Sequence, residues 1–226
     1  MSEMKIYCLP GNAATAFAAQ FLEEYGIPVA LAPEPGVTHL LLPVPTRIPV
    51  QPPEGMTVIG GNLTVPGIDL LKDPFYLADN AAITARCAIR LIGKELEGLP
   101  VLVLGWGRIG KCLGKFLSEA GAVVTIAARK ESDVAMIRAL GHDGIFLHQA
   151  AKELPRFGAV LNTIPAMILP VVDCRKDCVL MELASKPGMA GDNIMDARGL
   201  PGKYAPEESG RLIARTILRL CKEEDA

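Results

Sequence analysis

Apolar residues along the chain fall into two kinds of run that alternate. Short blocks rich in valine, leucine and isoleucine stand at 4–9, 29–31, 39–42, 58–59, 101–104, 123–127, 144–147, 159–164 and 179–183. The uninterrupted block at 101–104 has the composition of a strand covered on both faces, and the others read as strands beside it. Between them apolar residues return every three or four positions, the spacing of one helix face. Residues 13–25 show it through Phe17, Phe21 and Leu22, and residues 109–117 through Ile109, Leu113, Phe116 and Leu117. Further helices are expected at 133–140, 150–154 and 206–222, the last with Pro206 in its first turn and Arg219 and Lys222 at its end. Residues 73–97 carry the same period in Ala85, Ala88, Ile89 and Ile92 behind an Asp73-Pro74 start. Whether one helix fills that stretch or a loop at 77–80 divides it is open. Prolines exclude regular structure at 43–53, and Gly199-Leu200-Pro201-Gly202 reads as a turn. Alternating strands and helices predict an α/β fold with a doubly wound parallel sheet. A domain boundary is expected near residue 97.

One join between block and period carries chemistry. The apolar block at 101–104 runs into Gly105-Trp106-Gly107-Arg108-Ile109-Gly110, a G-x-G-x-x-G between strand and helix. Gly105 allows the tight turn out of the strand, Gly107 lets backbone approach a pyrophosphate, and Gly110 lets helix and strand pack closely. The N–H groups of the following helix, Arg108 and Ile109 among them, then face the phosphates. This is the dinucleotide-binding fingerprint of a Rossmann domain in the context that makes it specific. The next strand ends Ala127-Ala128-Arg129-Lys130-Glu131-Ser132, with no acid where an NAD site holds one for the ribose hydroxyls. Arg129 can fork onto a 2′-phosphate, and Lys130 and Ser132 can add donors, so NADP is favoured over NAD. The opposing reading has Arg129 and Lys130 solvated and Glu131 on the ribose.

Composition narrows the remaining options. With half of 226 residues hydrophobic and 21% charged, the chain is globular, and a net charge near −2 gives no footprint for nucleic acid or an anionic membrane. No apolar run is long enough to span a bilayer, and the first residues lack the apolar core of a secretion signal, so a cytoplasmic protein is expected. Six scattered cysteines and three scattered histidines show no metal-ligand spacing.

At the carboxyl ends of later strands, Asn162, Thr163 and Pro165 form one turn, and Ala184, Ser185 and Lys186 another. Asn162 and Thr163 either bond the nicotinamide end of the cofactor or cap a turn. Ser185 and Lys186 are candidates for the nicotinamide edge or an anionic substrate. No residue stands out for proton transfer; Asp69, Asp73, Asp79, Arg86 and Glu182 are the options. Arg86, on the helix before the glycine turn, either binds a substrate carboxylate or is a surface arginine.

Several segments together resemble the dipicolinate synthase A-subunit family. They are the glycine fingerprint with its Ala-Ala-Arg-Lys strand end, Leu161-Asn162-Thr163-Ile164-Pro165, Glu182-Leu183-Ala184-Ser185-Lys186-Pro187-Gly188, and Leu200-Pro201-Gly202 followed by Ala205-Pro206 and a helix holding Gly210. The resemblance implies a layout similar to 2-hydroxy-acid dehydrogenases. Residues 1–75 would form a small α/β domain, 76–97 a linking helix, 98–204 the Rossmann domain, and 205–226 a helix packing back on the first domain. It also implies cofactor-dependent oxidation of a small carboxylated ring or imine such as dihydrodipicolinate during sporulation. The partners implied are a second, flavoprotein-like subunit, together with another copy of the chain in a homodimer by fold analogy. Cofactor contacts carry over to Gly105, Gly107, Arg108, Ile109, Gly110, Arg129, Lys130, Ser132, Asn162, Thr163, Pro165 and Ala184.

Substrate-side candidates are Asn80, Thr84, Arg86 and Ser185. There the chain departs from the family. The Gly-Gly-Asp-x-Arg turn is Pro10-Gly11-Asn12-Ala13-Ala14, the first domain is shortened, and the glutamate of the linking helix is Arg86. The alternative to an oxidoreductase is therefore a nucleotide-binding or regulatory subunit without the substrate-side chemistry. An ordinary 2-hydroxy-acid dehydrogenase would need a histidine after the last strands, and none follows Glu182.

Overall fold

The apolar blocks do become parallel strands, in two sheets. The computed structural model of the chain describes residues 4–30, 32–47, 49, 51–170 and 173–224, the last three by backbone alone. Two compact units emerge, one made of the chain up to Ile83 together with the residues from Pro201 on, the other of Thr84–Leu200.

The first unit holds β1 (Ile6–Cys8), α1 (Ala13–Glu24), β2 (Val29–Ala30), β3 (His39–Leu41), β4 (Thr57–Gly60) and β5 (Ile68–Asp69). The strands form a parallel sheet ordered β2-β1-β3-β4-β5. Leu31, expected in the second strand, lies outside the described residues. Asn12 caps α1: its Oδ1 accepts from the Thr15 N–H at 2.8 Å and the Thr15 hydroxyl at 3.0 Å. The buried residues of α1 are Ala14, Thr15, Ala18, Phe21 and Leu22.

A helix α2 (Pro74–Ile92) leads out of this unit, and the division between the units falls inside it. It is one helix, with no loop at 77–80, and Gly93 ends it at φ +64°. Asp73, 8% exposed, caps it by accepting from the Tyr76 N–H at 2.7 Å, and the same oxygen accepts from the Arg219 guanidinium at 2.6 Å. Arg219 belongs to α7 (Pro206–Glu224), which packs along α1. The side chain of Lys222 lies outside the described residues. Before α7 stands a short α6 (Leu200–Tyr204), where the sequence suggested only a turn. The correction has a local cause: Gly199 turns the chain at φ +70°, Leu200 is buried, and Pro201 falls in the first helical turn, where no N–H is required.

The second unit is built on β6 (Pro100–Leu104), α3 (Arg108–Glu119), β7 (Val123–Ala128), α4 (Glu131–Ala139), β8 (Asp143–Phe146), α5 (Ala150–Glu153), β9 (Ala159–Asn162), β10 (Val179–Glu182) and β11 (Ile194–Asp196). All neighbours pair in parallel, in the order β11-β10-β9-β6-β7-β8. Counted from β6 this is 3-2-1-4-5-6, the Rossmann order, which reverses direction between β6 and β9. Leu102, Leu104, Val160, Leu180 and Phe157 fill one side of the sheet. Each such side chain contributes about 2 kcal/mol of burial, enough to hold the carboxyl edge of the sheet in a fixed row.

Candidate functional site

The row at the carboxyl edge is set by strand register. Ala127, Leu104, Asn162, Glu182 and Asp196 stand side by side across β7, β6, β9, β10 and β11. The turns leaving this row hold most of the candidate residues.

After β6 the three fingerprint glycines play three different parts. Gly105 has φ +107°, and a Cβ there would lie 2.5 Å from the Thr163 hydroxyl. A Cβ on Gly110 would lie 2.1 Å from the carbonyl oxygen of Gly105, so strand end and helix approach as only glycine allows. A Cβ on Gly107 would meet nothing within 4 Å. Space for a ligand therefore opens at Gly107, where α3 begins. No side chain caps this helix, and its first ladder bond is Lys111 N–H to the Gly107 carbonyl at 2.9 Å. An uncapped helix N-terminus beside open space suits a pyrophosphate in shape and in charge. Arg108 and Ile109 lie in its first turn.

At the end of β7, Arg129, Lys130 and Ser132 are all exposed, and the Lys130 backbone caps α4. Glu131 is already the first residue of that helix, past the strand end. After β9, the Asn162 side chain is fully buried. Its amide oxygen accepts from the Ile164 N–H at 3.0 Å, and its Nδ2 donates to the Ile164 carbonyl at 3.0 Å and to Glu182 Oε1 at 2.8 Å. Of the two expectations for Asn162, the side chain fulfils the turn cap. The Thr163 hydroxyl donates to the Leu104 carbonyl at 2.8 Å, tying this turn to the glycine turn, and Pro165 is exposed beside it. After β10, Ala184 is buried with its N–H on Glu182 Oε1 at 3.1 Å, while Ser185 and Lys186 are exposed.

The proton-transfer options separate. Glu182 is 4% exposed and accepts three hydrogen bonds, from Asn162, Ala184 and Gly188. Asp69 accepts from the N–H groups of Asn62, Leu63 and Leu71, and Asp73 is the α2 cap. These carboxylates hold turns together; Asp79 is exposed. Asn80 and Thr84 stand four apart on one face of α2, with Thr84 buried. Arg86 points to the opposite face, where its guanidinium carbon lies 5.7 Å from the centroid of the Phe116 ring on α3. It is thus not grouped with Asn80 and Thr84.

Two features lay outside sequence reasoning. Asp196 and Arg198 form a forked ion pair, with Nε to Oδ1 at 2.7 Å and the second nitrogen to Oδ2 at 2.6 Å. They border a cavity of about 230 Å³, which Glu182, Pro187, Met189 and Ile194 also line. The only signal for them was an acid and an arginine two residues apart.

The second feature begins at Trp106, inside the glycine turn. Its ring meets His142 edge-on at 6.3 Å, and His142 Nδ1 lies 3.2 Å from the Ser118 hydroxyl. Burial lowers the His142 pKa below its ordinary 6.5, which keeps the ring neutral at pH 7. Protonating it in the folded protein therefore costs stability: the cost is absent well above pH 6.5 and builds up as pH falls through the folded-state value. Trp106 is the chain's single tryptophan, and an imidazolium quenches indole emission. Emission should fall with a midpoint below pH 6.5, and His142→Asn should remove the step. A midpoint at or above 6.5 would contradict a pKa lowered by the partial burial of the ring.

No helix among the described residues is long and apolar enough to cross a membrane. No family model matches the chain. A curated relative, the A subunit of dipicolinate synthase from Bacillus subtilis (strain 168), is 29% identical over 154 residues, which are 63% of this chain and 52% of that protein. The match thus spans about half the length of that relative. Among solved structures, the A subunit of dipicolinate synthase from Bacillus halodurans superposes with a TM-score of 0.82 at 21% identity, covering 97% of this chain and 98% of that one. The A chain of dipicolinate synthase from Bacillus subtilis gives 0.81 at 20% identity, covering 99% and 97%. A transhydrogenase from Sinorhizobium meliloti gives 0.69 at 12% identity, covering 97% and 94%. The fold is therefore of the Rossmann, dehydrogenase type. In sequence and in fold, the chain is a relative of the dipicolinate synthase A subunit.

Proposed function

We propose that the protein is an NADP-dependent oxidoreductase acting on a small carboxylated ring or imine such as dihydrodipicolinate. The observation that carries the dinucleotide half is the open space at Gly107 against an uncapped α3 N-terminus. Gly105, Gly107 and Gly110 admit the pyrophosphate, and the first-turn N–H groups of Arg108 and Ile109 point at it. Arg129, with Lys130 and Ser132, holds the 2′-phosphate; the strand end offers the ribose no carboxylate before Glu131. When bound, the nicotinamide supplies the hydride acceptor. The exposed Ser185 and Lys186, at the tip of the turn after β10, orient an anionic substrate near that end of the row. The substrate class itself rests on the likeness to the dipicolinate synthase A subunit. A cytoplasmic homodimer working with a flavoprotein-like subunit belongs to the same reading.

NADPH should bind at least about tenfold more tightly than NADH, followed by quenching of Trp106. Arg129→Glu should cost NADPH about a hundredfold and leave NADH within about threefold. Tighter NADH binding in the wild type would reverse the assignment. Enzymatically generated dihydrodipicolinate, with and without a second subunit, then tests turnover at the reduced-nicotinamide absorbance. Binding of NADPH without turnover in either case would favour a nucleotide-binding subunit without chemistry.

A further inference from the structure

We propose that Glu182 is a positioning residue for the nicotinamide half of the dinucleotide. This role rests on the dinucleotide reading above and deepens it. The topology divides the ligand. A pyrophosphate at the start of α3 sits at the switch point after β6, and Arg129 after β7 marks the adenosine side. The remaining half must extend the other way, over the ends of β9 and β10. There, Asn162 and Glu182 are register partners and the last residues of their strands.

A carboxylate buried to 4% exposure is costly unless donors surround it. Glu182 has three: Asn162 Nδ2 at 2.8 Å and the Ala184 N–H at 3.1 Å on Oε1, and the Gly188 N–H at 2.8 Å on Oε2. Ala184 and Gly188 bracket the exposed Ser185, Lys186 and Pro187. One side chain therefore closes that turn at both ends and fixes its tip. Through Asn162 it also holds both backbone groups of Ile164, whose turn is tied by Thr163 to Leu104. The two turns are further joined where the Ile168 and Leu169 N–H groups donate to the Gly188 carbonyl at 2.8 and 3.0 Å. The result is a hydrogen-bonded platform across three strand ends with a single carboxylate at its centre. Gly188 is required for it, since a Cβ there would lie 2.3 Å from Asn162 Nδ2. All three partners of Glu182 belong to the turns themselves and the side chain is buried, so it serves geometry rather than proton transfer.

Glu182→Gln keeps the shape and removes one acceptor, so an N–H is left facing an amide NH₂. The variant should lose about tenfold in NADPH affinity and stay within about twofold for 2′,5′-ADP, which occupies only the adenosine side. Asn162→Ala, which leaves the Ala184 and Gly188 bonds in place, should show the same split and covers the case in which Glu182→Gln does not fold. Equal losses for both ligands, or no loss for either, would overturn the role. A wild-type protein that binds neither ligand would instead overturn the dinucleotide reading, so the two failures are distinguishable.

Discussion

Replacing Gly107 by Asp should leave the protein folded and abolish dinucleotide binding. Gly107 is the fingerprint glycine whose missing side chain leaves open space, with no atom within 4 Å of where a Cβ would stand. Its φ of −80° suits any residue, and it stands at the N-cap of α3, a position aspartate favours. The new carboxylate would bond the first-turn N–H groups and take the place of the pyrophosphate. Like charges set against each other in a binding site cost several kcal/mol, so NADPH affinity should fall on the order of a hundredfold or more. Circular dichroism should be unchanged, while titration followed at Trp106 should show no saturation. Unaltered NADPH binding would mean that the ligand does not lie at this helix start. The neighbouring glycines offer no such separation, because a side chain at Gly105 or Gly110 collides with Thr163 or with the Gly105 carbonyl.

Gly210→Val should destabilise the first unit by about 3 kcal/mol. Here α7 crosses α1 through small residues. A Cβ on Gly210 would lie 2.5 Å from the Phe17 Cβ, 2.7 Å from the Ala14 carbonyl oxygen and 2.8 Å from the Ala18 nitrogen. Two of these are backbone atoms, so no rotamer change relieves the overlap and the helices must separate. Separation loosens the packing of Ala14, Ala18, Ile213 and Ala214, all now buried. Valine recovers a few tenths of a kcal/mol of helix propensity over glycine, too little to offset the loss. The urea midpoint should drop; an unchanged or raised midpoint would show that the crossing tolerates a wider spacing.

What the sequence made legible follows burial. Strands β6, β7, β9 and β10 are almost wholly buried, so their runs are dominated by apolar residues, broken only by Thr125, Asn162 and Glu182, and were readable. The edge strands β5 and β11 went unread. They are two and three residues long and each pairs on one side only, and Met195 and Asp196 are exposed, so no pattern marks them. The glycine turn was readable because a missing side chain dictates backbone geometry locally. Asn162 was ambiguous for the opposite reason. Its partner Glu182 lies twenty residues away, and only strand register brings the two together. Trp106 and His142 meet in the same nonlocal way. Arg86 shows a further limit: the helical period assigns its face, but its stacking on Phe116 depends on how α2 runs beside α3.

The ion pair between Asp73 and Arg219 joins residues 146 positions apart, within a unit assembled from both sides of the chain. Synthesis proceeds in one direction, so α1 is made long before α7 exists to cover it. Thr84–Leu200 is continuous and needs no residue made after Leu200 to close. The order in which the two units complete is therefore the reverse of the order in which they begin. Ala14 and Ala18, buried where α7 crosses at Gly210, are the core residues of α1 that wait longest for their cover.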